Sequence, residues 1–205
     1  MSRVTGMVAL AMCAGALIGC STQEPAASPS TPAPVASASA TPTPTPEPEP
    51  APTEVVETSD PDLGIVLTEN PGLTGAEAEV YNWVAAYETE FWRSLTTNTV
   101  STGVSLMASP ELEAGFESMV QANVAAGTHY TGTIRFTIDS IVVTDGTATA
   151  AVCQDFSQVS SVHDDRTFTA EEAGIAQPQS RAMTLVGIPA ESRWIVQTEA
   201  AGGPC

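Results

Sequence analysis

The stretch Thr133-Ile134-Arg135-Phe136-Thr137-Ile138-Asp139-Ser140-Ile141-Val142-Val143-Thr144-Asp145-Gly146-Thr147-Ala148-Thr149-Ala150-Ala151-Val152-Cys153 decides the fold. Ile134, Phe136 and Ile138 alternate with Arg135 and Thr137, the period-two pattern of a strand with one buried face. Ile141 and Val143 resume on the opposite parity, which predicts a bulge near Asp139-Ser140. Asp145-Gly146 supplies two residues that tolerate positive φ and predicts a hairpin, with residues 147–157 returning as the second strand. Beyond it, the polar run 158–179 reads as a long loop. Residues 181–186 and 193–199 read as two further strands around the turn Ile188-Pro189-Ala190-Glu191-Ser192.

Upstream the period changes to that of a helix. Ser109 is placed as N-cap, Pro110 at the first helical position and Glu111 in the positive first turn. Leu112, Phe116, Met119 and Val120 form the apolar stripe, and Gly127 is placed to close the helix in the left-handed conformation. An earlier helix opens at Thr74-Gly75-Ala76-Glu77, a capping-box pattern, and carries Val80, Trp83, Val84, Tyr87, Phe91 and Leu95 at three- and four-residue spacing to about residue 96. Two helices followed by an antiparallel meander make an α+β domain over residues 63–205, with the helices on one face of a curved antiparallel sheet.

Everything before residue 63 has a different character. From Ser21 the chain is Pro, Ala, Ser, Thr and Glu, with Thr41-Pro42-Thr43-Pro44-Thr45-Pro46-Glu47-Pro48-Glu49-Pro50 as its densest run. Alternate prolines remove backbone donors, and few large apolar side chains are present to offset the entropy of ordering, so residues 20–62 read as a disordered linker. In the polyproline II regime, at about 3.1 Å per residue, its roughly 40 residues reach on the order of 100 Å. Residues 4–18 form an uncharged apolar or small run behind Arg3. That is shorter than the roughly 20 residues of a membrane span and fits the core of a secretory signal over residues 1–19.

The run ends in Leu17-Ile18-Gly19-Cys20, which resembles the lipobox of bacterial lipoproteins. The resemblance implies a diacylglyceryl group on the Cys20 thiol, cleavage before Cys20, and an anchor in the cell membrane on its extracytoplasmic side. Two acyl chains give the doubled hydrophobic signal that stable anchoring needs. With Cys13 in the signal and Cys20 lipidated, Cys153 and Cys205 remain, and an exported chain meets an oxidising compartment, so the two are expected to form a disulfide.

The domain's layout resembles the NTF2-like, or cystatin-like, superfamily, and in particular small actinobacterial lipoproteins. The matching residues are Ser109-Pro110-Glu111-Leu112, Tyr130-Thr131-Gly132-Thr133, Asp145-Gly146-Thr147-Ala148-Thr149-Ala150, Cys153-Gln154-Asp155 and Arg193-Trp194-Ile195-Val196 with Cys205. The resemblance implies a cone whose sheet and helices enclose a pocket, and no single activity.

Charge narrows the function. The chain has 24 acidic residues against 6 basic ones, all arginine. Seven acids and Arg3 precede residue 63, leaving 17 acids against five arginines, or −12, on the domain. Such a surface repels phosphate backbones, which excludes nucleic acid as a partner. The chain carries no phosphate loop, G-x-S-x-G or H-E-x-x-H motif, and no cofactor is expected.

Four residues are candidates for a pocket: Trp83, Tyr87, Asp155 and Trp194. The aromatics serve equally as core. Asp155 could be a general base or a structural carboxylate paired to Arg135 or Arg181. His163-Asp164-Asp165 has metal-capable side chains but reads as a solvated loop, and His129 aligns with no catalytic base. The expectation is therefore a surface-displayed, non-enzymatic module that binds an envelope protein or a small ligand, against a small-molecule enzyme or carrier that uses the cone interior. A cavity with Asp155 or a histidine pointing inward would favour the second, and a cone plugged by Trp83, Phe136 and Trp194 would remove it.

Overall fold

A computed structural model describes residues 53–56, 58–68 and 72–205. The signal segment, Leu17, Ile18, Gly19 and Cys20, and the linker as far as residue 52 lie outside the described residues.

The elements run β1 (Ile65–Thr68), α1 (Gly75–Thr97), α2 (Val104–Met107), α3 (Pro110–Ala126), β2 (Thr128–Thr144), β3 (Thr147–His163), β4 (Arg166–Thr169), β5 (Gln179–Ile188), a 3₁₀ turn (Pro189–Glu191) and β6 (Arg193–Pro204). They form an α+β domain with the helices packed on one face of a curved open sheet of six strands, ordered β1-β2-β3-β5-β6 with β4 on β3. All pairings are antiparallel except β1, which runs parallel to β2 in the register Ile65 to Ile134. β1 escaped the sequence reading, although Ile65-Val66-Leu67 is an apolar run. At its start Gly64 and Gly132 have φ of +74° and +100°, and a Cβ on either would stand 2.2 or 2.3 Å from the next strand's carbonyl oxygen. The first three strands can approach there only because both residues are glycine.

The hairpin and its bulge form as expected. Asp145 and Gly146 both have positive φ, and the register of β2 on β3 shifts between Ile138 and Ser140. β3 does not stop at 157, however. It continues to His163, turns at Asp164 with φ 51°, and pairs residues 160–163 with β4. While 170–178 is irregular as expected, the first part of the run read as a loop, 158–169, is thus a second hairpin. Its Ser, Thr and Gln side chains belong to an edge that buries little, so the apolar alternation that would have announced a strand is missing.

α3 is built as its sequence dictates. Ser109 Oγ accepts from Leu112 N at 3.3 Å, Pro110 opens the helix and Gly127 closes it with φ 62°. α1 starts differently: Thr74 makes no side-chain cap, and Gly75 N donates instead to Thr53 O at 2.8 Å. Residues 53–62, read as linker, are held on the domain, where Asn82 bonds both Val56 N and Glu54 O. The buried stripe of α1 keeps Val80, Val84, Tyr87, Phe91 and Leu95 as expected and is widened on one side. Tyr81 and Trp92 are fully buried and donate to Thr68 O and Leu63 O at 2.7 and 2.8 Å, while Trp83 stays half-buried at the margin.

The core lies between α1 and the inward positions of the sheet: Ile134, Phe136, Ile138, Ala148, Ala150, Val152, Met183, Leu185 and Val196. Each large apolar side chain there contributes about 1.5–3 kcal/mol by leaving water. No helix among the described residues is long and apolar enough to cross a membrane.

Cys153 and Cys205 form a disulfide with Cα atoms 6.0 Å apart across 52 residues of sequence. The tail it holds is the end of β6, paired to β5 as far as Pro204 and Gln179. A Cys153→Ser/Cys205→Ser variant should lose about 4 kcal/mol of unfolding free energy in urea titrations, the chain-entropy value for a loop of this size. A loss below about 1 kcal/mol would show that β5–β6 pairing alone restrains the tail.

Candidate functional site

α1 faces the sheet with Tyr87, Glu88, Phe91 and Leu95, and α3 adds Leu112, Phe116 and Met119 beside them. Between these helices and the strands lie two adjoining cavities. One, of about 360 Å³, is walled by Phe91, Leu95, Met119, Tyr130, Phe156 and Ile175. The other, of about 190 Å³, is walled by Phe91, Leu112, Phe116, Met119, Arg181 and Glu199. Phe91 and Met119 wall both, so the two lie side by side and make up a cleft with an apolar part and a charged part.

Local backbone features aim these side chains. Along β3, Ala148, Ala150, Val152, Gln154 and Phe156 share the inward face. A bulge then follows, two residues of β3 opposing Ile134 alone, with Ser157 N donating to Asp155 Oδ1 at 2.8 Å. On β6 the pairing shifts between Thr184 and Leu185, so that Gln197 is an extra residue and Glu199 faces inward like Val196. Ile175 reaches the cleft from the turn after β4. There Glu172 accepts from Thr169 N and Oγ1, and these bonds, the backbone one first, hold its carboxyl below the usual range.

Behind the charged end lies a buried polar cluster. Arg181 Nη1 donates to Glu199 Oε2 at 2.8 Å, and the guanidinium sits 4.7 Å over the Phe91 ring. Gln154 Nε2 donates to Glu88 Oε2 at 2.8 Å, and both residues are almost wholly buried. Tyr87 packs edge-on against Phe116 at 5.7 Å. Tyr87 Oη, Glu88 Oε1 and Glu199 Oε1 are all closed off from solvent; the phenol engages the Glu199 carboxylate, while Glu88 Oε1 has no hydrogen-bond partner. Burial pushes the Glu88 carboxyl up to about 8; Arg181 and the bond from Gln154 oppose this, while Glu199 reinforces it. Burial also raises the Tyr87 phenol far above its usual range, with the Glu199 carboxylate acting in the same sense. At neutral pH Glu88 and Tyr87 are therefore both protonated, and the cluster holds one cation and one anion.

Of the four candidates from sequence, only Tyr87 belongs here. Trp83 borders a shallow surface depression with Asn82 and Ala86. Trp194 packs on Gly187 at the hairpin end of the sheet, beside Glu79 and Arg193. Asp155 lies on the opposite face of β3 from Gln154 and bonds its own strand. It makes no ion pair with Arg135, which reaches Gln158, or with Arg181, which belongs to Glu199. His163 is half-exposed and 3.0 Å from Thr128 Oγ1 on the neighbouring strand, and His129 lies opposite Val162.

The missed residues left a signal. Glu88 stands in register with Val84, Phe91 and Trp92 on an otherwise apolar stripe, and Gln154 continues the inward parity of β3. Glu199 left none, because the extra residue Gln197 reverses the parity. A wider depression of about 390 Å³ lies between residues 58–61 and α1; Thr58 Oγ1 on its wall is buried without a partner, while its carboxylates are engaged locally. Asp60 accepts from Asp62 N and Leu63 N, and Glu90 holds Arg93 and Ser101.

Chemically the cleft offers shape, apolar surface and one ion pair. Its ionisable lining residues are Tyr130, Arg181 and Glu199, and no nucleophile stands beside a base. The Glu88 proton has a consequence for stability. The unfolded carboxyl releases it near 4.5 and the folded one near 8, so folding weakens as pH rises through that window, by at most about 1.4 kcal/mol per unit. Glu88→Gln keeps the acceptor for Gln154 and removes the titration. Its stability relative to wild type should therefore rise progressively between about pH 5 and pH 8 in urea unfolding; a difference independent of pH would contradict the buried, protonated carboxyl.

No protein-family model matches this chain, and a search of curated proteins returns no match to it.

Proposed function

We propose that this is a lipid-anchored, extracytoplasmic binding protein whose NTF2-like domain holds a small, largely apolar ligand in the cleft between α1, α3 and the sheet, without transforming it. The observation that carries the reading is the pair of cavities joined at Phe91 and Met119, walled mostly by aromatic and aliphatic side chains with polar groups gathered at one end. Sites for small molecules have this composition, and a cleft of this size suits a compact ligand. The helices on one face of a curved sheet support the NTF2-like reading. Leu17-Ile18-Gly19-Cys20 and the proline-rich run behind it support the anchor and spacer. The enzyme reading loses its candidate base, since Asp155 lies outside the cleft and bonds Ser157 N.

Met119→Trp fills the junction of the two cavities. The wild-type domain should take up the apolar fluorophore N-phenyl-1-naphthylamine, and Met119→Trp should weaken that uptake by about tenfold or more, roughly the 1.4 kcal/mol of a displaced apolar contact, with its circular dichroism unchanged. Equal uptake by a folded Met119→Trp chain would place the probe elsewhere and remove the reading.

The anchor is tested separately. Cys20→Ala should appear in the medium where the wild-type chain stays with the membrane fraction. Retention of Cys20→Ala in the membrane would show that lipid on Cys20 is not what holds it.

A further inference from the structure

The charged end of the cleft is selective in a way that its apolar end is not. Arg181 donates one of its hydrogens to Glu199 and lies flat on Phe91, which leaves further guanidinium donors at the cavity wall. Glu199 accepts through Oε2; its Oε1 is closed off from solvent, and the carboxylate also engages the Tyr87 phenol. Tyr87 and Glu88, which complete the cluster, are completely buried and line neither cavity. A head group arriving here meets donors and acceptors together, held by an ion pair whose charges cancel.

The geometry points to a neutral amphiphile as the ligand: an alcohol or primary amide whose head lies between Arg181 and Glu199 and whose apolar body passes Phe91 and Met119 into the larger cavity. This rests on the reading of the cleft as a ligand site. A carboxylate head would gain Arg181 but stand against Glu199, and an ammonium head would gain Glu199 but stand against Arg181. In either case attraction and repulsion nearly cancel while the full desolvation of the incoming ion remains. A hydroxyl or amide has no such desolvation to overcome. It can accept from the guanidinium while donating to the Glu199 carboxylate at Oε2, so that both of its own polar functions find a partner without a net charge. The −12 charge of the domain adds a long-range field against anions.

The test uses the unlipidated Cys20→Ala chain, which is identical in every described residue. It measures displacement of N-phenyl-1-naphthylamine at neutral pH by decanol, decanoate and decylammonium, which share one chain length and differ in head group. Decanol should compete about tenfold more tightly than either charged probe, the value of roughly one satisfied hydrogen bond. Removing one charge at a time uncovers the other: Glu199→Gln leaves Arg181 uncancelled and should tighten decanoate about tenfold relative to decanol, and Arg181→Gln should do the same for decylammonium. Should a variant fail to fold, as judged by circular dichroism, the other variant and the ranking on the wild-type side chains decide. Decanoate or decylammonium competing as well as decanol overturns the head-group assignment and leaves the cleft standing. No fluorophore uptake at all overturns the cleft itself, and this inference with it.

Discussion

The double-edged pairing of β3 is the constraint on which the rest of the domain depends. One edge runs along β2 for nearly its whole length, and the other is shared between β5 on residues 147–154 and β4 on residues 160–163. A strand held on both sides cannot slip by one residue, because a slip would carry Ala150, Val152 and Gln154 from the core to the outer face. β3 therefore fixes three things together. Its inward face floors the core beneath α1. Its bulge at Asp155 to Gln158 curves the sheet. Its outward Cys153 anchors the far end of β6. The disulfide adds to an arrangement already defined by hydrogen bonds, holding the last paired segment of the outermost strand.

The legibility of the fold followed the strength of local signals. The Asp145-Gly146 turn, the bulge after Ile138, the Ser109 cap and the Gly127 stop each rest on chemistry confined to a few residues, and each could be read directly. What could not be read depends on partners far away in sequence. β1 exists because Gly64 and Gly132 let backbones touch. The buried face of α1 extends to Trp92 and Tyr81, and leaves Trp83 at its margin, because the first two find carbonyl acceptors on the segment before it. The second hairpin is polar because it lies at an edge. The same division applies to the site. Tyr87 was legible as an aromatic on a helical stripe. Asp155 drew attention as a carboxylate, although the parity of β3 places it outside. Glu88 and Gln154 were present in the pattern as polar residues on apolar faces. Glu199 could not be found without knowing that Gln197 is an extra residue in its strand.

A cluster of this kind is costly to stability and informative about function. A buried carboxyl with one unpartnered oxygen, a buried phenol and a second carboxylate shared between that phenol and an arginine strain the rule that interior polar groups are fully paired. Local rules are broken most often where structure serves something other than stability. Three of the six under-satisfied buried side-chain atoms among the described residues gather here, beside the cleft; the others belong to Thr58, Asn98 and Asn123. Glu88 is tolerated because protonation relieves the larger penalty, leaving the smaller one of a single unpaired oxygen beside the one that Gln154 satisfies. The cluster thus remains close to neutral without any counter-ion beyond Arg181.

The distribution of arginine extends the argument to the surface. Of the five arginines in residues 63–205, Arg93, Arg181 and Arg193 are paired with Glu90, Glu199 and Glu191, and Arg166 lies over Phe168. With no lysine in the chain, the domain has almost no basic group left to offset its remaining acids. The exterior is therefore anionic and the cleft's charged end balanced. At physiological ionic strength the exterior field acts over about 8 Å, which is enough to bias what approaches the mouth of a shallow cleft but too short to govern contacts inside it. Under the proposed reading, approach would be filtered by a negative surface and binding judged by a neutral interior. The two filters agree only for a ligand that carries no negative charge to the mouth and needs no net charge once inside.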